Sequence, residues 1–246
     1  MLYSKYRILA TLLGTFFLII MSPVSQETDI QKERVLTLKN FLEKEKDYFV
    51  FSAESFDGHS PWENYRNDHD LNENIFTDKS ADSEDAHKLE TDLLPEIKKE
   101  FRRSFQIHTS LEIPDREKIF IRPRTKIFFP AGTPVYSFLW MHSEGYTGTA
   151  KVLLEGPGRK NIQVNMGELN FSGWKRLEGR IPFMNEIRLN AKKKKLFELK
   201  GILMEFKRNQ PKGVFTLQFD RLYFLMQKSS PTYPGSEIED GWTFKE

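Results

Sequence analysis

The 246 residues contain no cysteine. That excludes disulfides, thiolate metal sites, iron–sulfur clusters, a cysteine nucleophile and an acylated lipoprotein cysteine. Net charge is also small: 37 Lys+Arg against 35 Asp+Glu leave +2, which argues against a general polyanion binder. G-x-S-x-G, the P-loop, G-x-G-x-x-G, H-E-x-x-H and the EF-hand loop are all missing, so no familiar catalytic or nucleotide-binding signature is present. Long apolar runs are scarce, with one near the start. Against these absences stand 21 Phe and an aromatic share of 13%. That is too much for a wholly disordered chain, and the length suffices for a real core in one large domain or two small ones.

The apolar run is Ile8–Met21, preceded by Lys5 and Arg7 and followed by Ser22-Pro23-Val24-Ser25-Gln26. This order of basic, apolar and small residues reads as an export signal. At 1.5 Å per residue the run spans roughly 21 Å, short of a ~30 Å hydrocarbon core. The expectation is a signal over residues 1–26, cleaved between Ser25 and Glu27, and an exported, periplasmic chain with no membrane contact after cleavage. An uncleaved anchor is the alternative.

Residues 27–51 read as an N-terminal helical segment. A helix over 28–49 is predicted by Val35, Leu38, Leu42 and Phe49 near helical spacing, capped by Thr28 or Asp29. Such a helix needs a partner surface, on its own domain or on a neighbouring subunit. Residues 52–246 read as a β-sandwich domain. A first strand covers 48–56, and then an acidic excursion, 57–100, reads as loop with helical pieces such as 85–101. From residue 104 onward, runs of five to eight residues between Gly and Pro turns predict strands at Ser104–Leu111, Lys118–Arg122, Thr125–Phe129, Val135–His142, Thr149–Glu155, Asn161–Met166, Trp174–Arg180, Gly201–Lys207 and Val214–Met226. Residues 183–200 read as a crossover. The fold class is all-β, a jelly-roll-like sandwich with an N-terminal helix and an acidic insertion.

Little of this carries chemistry. His59, His69, His87, His108 and His142 show no ligand spacing, and Asp68-His69-Asp70 is more simply a solvated loop than a metal site. Gly156-Pro157-Gly158 is a turn, not a phosphate cradle. No cofactor, metal or nucleic acid is expected, and no catalytic residue is assigned. Trp140 and Trp174 are expected in the core, whereas Trp62 and Trp242 sit in polar surroundings and are candidates for exposed contacts. Asn170-Phe171-Ser172 matches a glycosylation sequon of little weight. Lys192, Lys193, Lys194 and Lys195 form the sharpest basic run, a solvated loop or a contact for an acidic surface.

The near-zero sum hides two blocks. Residues 27–100 hold 10 basic and 20 acidic residues, and residues 101–246 hold 25 basic and 15 acidic. Either the blocks neutralise each other within one fold, or acidic residues such as Asp82, Glu84 and Asp85 meet the basic surface of a neighbour.

One stretch is more specific than composition. Gly167-Glu168-Leu169-Asn170-Phe171-Ser172-Gly173-Trp174-Lys175-Arg176-Leu177 is followed by Ile181-Pro182 and preceded by Val135–Trp140. Glu54-Ser55-Phe56 with Trp62 opens the region, and Phe219-Asp220-Arg221-Leu222 closes it. It resembles the FlaA family, the outer-layer sheath proteins of spirochaete periplasmic flagellar filaments. Within the motif, Gly167 and Gly173 are expected to permit tight turns, Leu169, Phe171 and Trp174 to plug the space between sheets, and Pro182 to end a strand, with Asn170 in the same run. The resemblance implies a non-enzymatic sheath component that contacts a flagellin core protein, other sheath proteins or copies of itself, and supports filament shape and motility. The alternative is a periplasmic carbohydrate-binding jelly-roll module.

Overall fold

Along Gly148–Gly156 every second residue is buried and the others are half-exposed. That period of two is what a strand with one face on a core requires. The computed structural model describes residues 23–56, 62–64, 75–77, 90, 103–182 and 196–228. Helix α1 (Pro23–Lys44) is followed by β1 (Tyr48–Glu54), β2 (Trp62–Asn64), β3 (Ile75–Thr77), β4 (Ser104–Leu111), β5 (Lys118–Pro123), β6 (Ile127–Phe128) and β7 (Thr133–Glu144). Then come β8 (Gly148–Gly156), β9 (Lys160–Glu168), β10 (Ser172–Arg180), β11 (Glu198–Phe206) and β12 (Gly213–Gln227). No helix among the described residues is long and apolar enough to cross a membrane.

The strands form two six-stranded antiparallel sheets, a jelly-roll-like sandwich. The front sheet runs β10-β7-β12-β4-β3, with β1 also on β12; the back sheet runs β2-β5-β11-β8-β9, with β6 on β11. From β7 onward the chain crosses between the sheets at every step except the β8–β9 hairpin of the back sheet, and one continuous core packs between them. Phe105, Phe215, Phe219 and Phe224 of the front sheet meet Ile121, Val152, Val164 and Ile202 of the back sheet, all 1% exposed or less.

Helix α1 lies on the outer face of the front sheet. Its Leu38, Phe41 and Leu42 pack on Val50, Phe138, Tyr223 and Leu225, and Arg34 pairs with Glu178 of β10 at 2.7 Å. The helix therefore docks on its own domain. Leu38→Ala should cost about 2–5 kcal/mol, as buried leucine truncations do, read by urea denaturation; a loss below 0.5 would mean the helix is not held there.

Several boundaries differ from the sequence expectation. The helix begins at Pro23, where the missing N–H is harmless in a first turn, and ends at Lys44. Phe49 is in β1 facing the main core, because the β-forming run from Tyr48 outcompetes helix continuation. The excursion, expected as loop with helical pieces, supplies two short strands, β2 on β5 and β3 on β4. Strand β6 keeps only two residues, and β11 starts at Glu198, inside the expected crossover. Of 85–101, only Glu90 is described.

Tyr146 shows how the core handles polar atoms. Its ring packs on Phe215 at 4.8 Å; its hydroxyl accepts the Thr216 N–H at 2.9 Å and donates to Glu144 at 2.9 Å. Burial, more than the Glu144 contacts, pushes its pKa from 10.0 to about 12. A folded pKa raised above the unfolded one stabilises below the unfolded value and fades as pH climbs through the folded one. Stability should therefore fall between about pH 10 and 12, and Tyr146→Phe should remove that part of the decline. An unchanged alkaline profile in the variant would contradict this.

Candidate functional site

The motif region builds one corner of the sandwich. Gly167 and Gly173 adopt φ of +123° and +95°, conformations that favour glycine. Between them Leu169 (0% exposed) and Phe171 (8%) plug the core. The corner is tied by Leu169 N–H to Gly148 O (2.9 Å), Gly145 N–H to Phe171 O (2.8 Å) and the Ser143 hydroxyl to Leu169 O (2.7 Å). Asn170 and Pro182 are exposed, with Pro182 just past β10. Trp174 departs from the expectation. It is half-buried on the outer face of the front sheet, against Trp140, not between the sheets. Alternation explains this: in β10, Leu177 and Gly179 point inward, so Trp174, Arg176 and Glu178 point out.

Trp62 also corrects the sequence reading. It is 2% exposed, its ring lies tilted 4.9 Å from that of Phe56, and its indole N–H donates to Glu54 Oε2 at 2.9 Å. Glu54 Oε1 accepts the N–H groups of Ser55 and Phe56 at 2.9 and 3.0 Å, which holds Phe56 at φ +61°. The opening Glu54-Ser55-Phe56 and Trp62 therefore form one fold anchor. Polar sequence neighbours misled because the indole's single donor has a buried partner. Trp62→Phe should cost about 1–3 kcal/mol by stranding a carboxylate oxygen, read by urea denaturation.

The front sheet carries a second, outward set of side chains arranged in rows across the strands. One row lies under α1. The next centres on Glu90, which is 0% exposed. Its carboxylate accepts from Trp140 Nε1 at 2.5 Å, from Arg176 Nη1 at 3.1 Å and from the Tyr223 hydroxyl. Arg176 also sits over the Phe138 ring at 5.2 Å and lies 3.6 Å from Glu178. A third row follows from register: Trp174 pairs with His142, His142 with Gln218 and Gln218 with Gln106. The Trp174 and His142 rings meet edge-on at 5.5 Å, and Gln218 Nε2 donates to Gln106 Oε1 at 3.4 Å. Trp174, His142 and Gln106 are half-buried; Gln218 is 5% exposed. Beyond them His108 and Thr216 share a contact of 3.1 Å.

The back sheet's outer face is a ladder of ion pairs. Glu205 bridges Lys118 (2.5 Å) and Lys151; Glu63 bridges Arg122 (2.5 Å) and Arg124 (3.5 Å); Lys200 bridges Glu155 (3.1 Å) and Glu198 (3.0 Å). Lys118, then Lys151, hold the Glu205 carboxyl below its ordinary value. Its stabilising contribution is present above that value and is lost as pH falls. Glu63 and Glu90 of the acidic block thus pair with arginines of the basic block inside one fold.

Trp242, Asp82, Glu84, Asp85, Lys192, Lys193, Lys194 and Lys195 lie outside the described residues, as do His59, Asp68-His69-Asp70 and His87. Among the described residues no group of three or more His, Asp or Glu is placed to hold a metal ion. Sequence reasoning missed Glu90 and the partner role of Arg176. The signal for Arg176 was its place two residues from Trp174, on the same side of a strand.

No family model matches the chain, and no curated protein matches it. Among solved structures, the chain is similar to TmCBM61, determined in complex with β-1,4-galactotriose (TM-score 0.42, 14% identity, covering 72% of this chain and 99% of that one). It is similar also to the family 11 carbohydrate-binding module of the cellulosomal cellulase Lic26A-Cel5E of Clostridium thermocellum (0.39, 9%, 74% and 97%). A third likeness is to a family 29 carbohydrate-binding module from Piromyces equi (0.32, 9%, 76% and 95%). Likenesses this distant carry no ligand or activity across.

Proposed function

We propose that this protein works by binding, without turnover, and that its ligand is a saccharide held on the outer face of the front sheet. The observation that carries the reading is the second set of aromatic and hydrogen-bonding side chains on that face, separate from the core. Sheet faces bearing indoles beside amides suit sugars, whose rings offer an apolar face and many hydroxyls. Three carboxylates among the described residues have structural tasks, which supports binding over turnover: Glu54 holds a turn, Glu90 holds three donors and Glu205 holds two lysines. Affinity electrophoresis through gels containing soluble polysaccharides tests it. Retardation by at least one neutral polysaccharide is expected; free migration in all of them would refute the reading.

A second reading keeps the periplasmic flagellar sheath. It is supported by the corner at Gly167–Leu177, where Leu169, Phe171 and the two glycines each have a structural task of the kind a family-specific motif would preserve. In that role the sandwich coats a flagellin core beside other sheath subunits. Isolated periplasmic filaments should then contain the protein, and high salt should strip it if opposed charges hold it. Its absence from filaments would end this reading.

A further inference from the structure

Resting on the saccharide reading, we infer that the binding site is the row Trp174–His142–Gln218–Gln106, and that its ligand is a short neutral oligosaccharide lying across the strands. The register places the four side chains side by side on one face of β10, β7, β12 and β4. Neighbouring strands are about 4.8 Å apart, so the row is roughly 14 Å long. On one side it is bounded by the occupied Glu90 row, so a ligand cannot extend along the strands toward α1.

The chemistry is specific. Among the described residues Gln218 Oε1 is buried and accepts no hydrogen bond, although its amide nitrogen reaches Gln106. A buried acceptor left unmade is costly, and a hydroxyl donating to it would satisfy it. Two carboxamides offer donors and acceptors side by side, the pairing that a sugar's vicinal hydroxyls require. The half-buried Trp174 indole, steadied edge-on by His142, supplies an apolar plate for a pyranose ring. No carboxylate or lysine stands in the row, which favours an uncharged ligand over a uronate or a phosphate.

The test is an NMR titration of the tryptophan indole N–H signals of the full chain. The probes are cellotetraose, xylotetraose, mannotetraose and β-1,4-galactotetraose, with oligogalacturonate as the acidic comparison. At least one neutral tetrasaccharide should shift the Trp174 signal, with the buried Trp62 signal unmoved. Trp174→Ala and Gln106→Ala should each weaken binding about tenfold, equivalent to ~1.4 kcal/mol. Gln163→Ala, exposed on the back sheet, should leave it unchanged. Retention of the Trp62 signal in the variants shows that they are folded. If a tetrasaccharide binds but both front-sheet variants keep the affinity, the site is wrong and the saccharide reading stands. Tighter binding of oligogalacturonate overturns the neutral class. If no probe binds at millimolar concentration, the site and the saccharide reading both fall.

Discussion

Arg176→Met should lower the stability of the protein by about 3–5 kcal/mol, the usual cost of removing one partner from a buried ion pair. Arg176 is 3% exposed and Glu90 is fully buried, so the carboxylate left behind cannot recover water. The Tyr223 and Trp140 donors would remain, which keeps the loss from exceeding that range. Part of the loss comes from the guanidinium over the Phe138 ring, worth about 1–2 kcal/mol when desolvated. The double variant Arg176→Met with Glu90→Gln separates the terms. A neutral amide can still accept from Tyr223 and Trp140, so the double variant should be more stable than Arg176→Met alone. Coupling within about 0.3 kcal/mol of zero in the urea cycle would mean that the pair does not fix this row.

Gly201→Ala should be nearly as damaging. Gly201 sits at a bulge in β11, between Leu199 and its onward pairing with β8, at φ +149°. A β-carbon there would overlap the Ile121 carbonyl oxygen and lie 2.6 Å from Phe120 Cε2. The backbone oxygen cannot swing away without breaking the β5–β11 ladder. We expect about 1–3 kcal/mol from overpacking and a further ~1–3 kcal/mol from the conformation forced on a side-chain-bearing residue. Gly167→Ala is the comparison, since its φ is +123° but nothing lies within 4 Å of the added carbon. It should lose only the conformational part. Equal losses at the two positions would show that close packing at Gly201 is not the cause.

These two sites also show what was legible in the sequence. Period-two alternation and Gly/Pro turns gave away the long strands, because burial on one face leaves a direct imprint on residue order. Short β2 and β3 left none: three residues carry too little pattern, and partners on distant strands hold them in place. The core role of Leu169 and Phe171 followed from their apolar character. The roles of Trp62 and Trp174 were inverted because exposure was inferred from sequence neighbours, whereas burial depends on what crosses over in space. Trp62 is buried by Glu54, Phe56 and the fold around them. Trp174 points out because Leu177 must point in. Glu90, one acid among 20 in its block, had no local feature to set it apart from solvated neighbours.

The proposed binding without turnover is open to a direct test. The most direct measurement is equilibrium dialysis of an end-labelled neutral oligosaccharide against the full chain, followed by chromatography of the ligand recovered from both sides. The prediction is that the label accumulates with the protein and is recovered at its original length after prolonged incubation. Shortened ligand, or equal label on both sides for every neutral oligosaccharide tried, would contradict it.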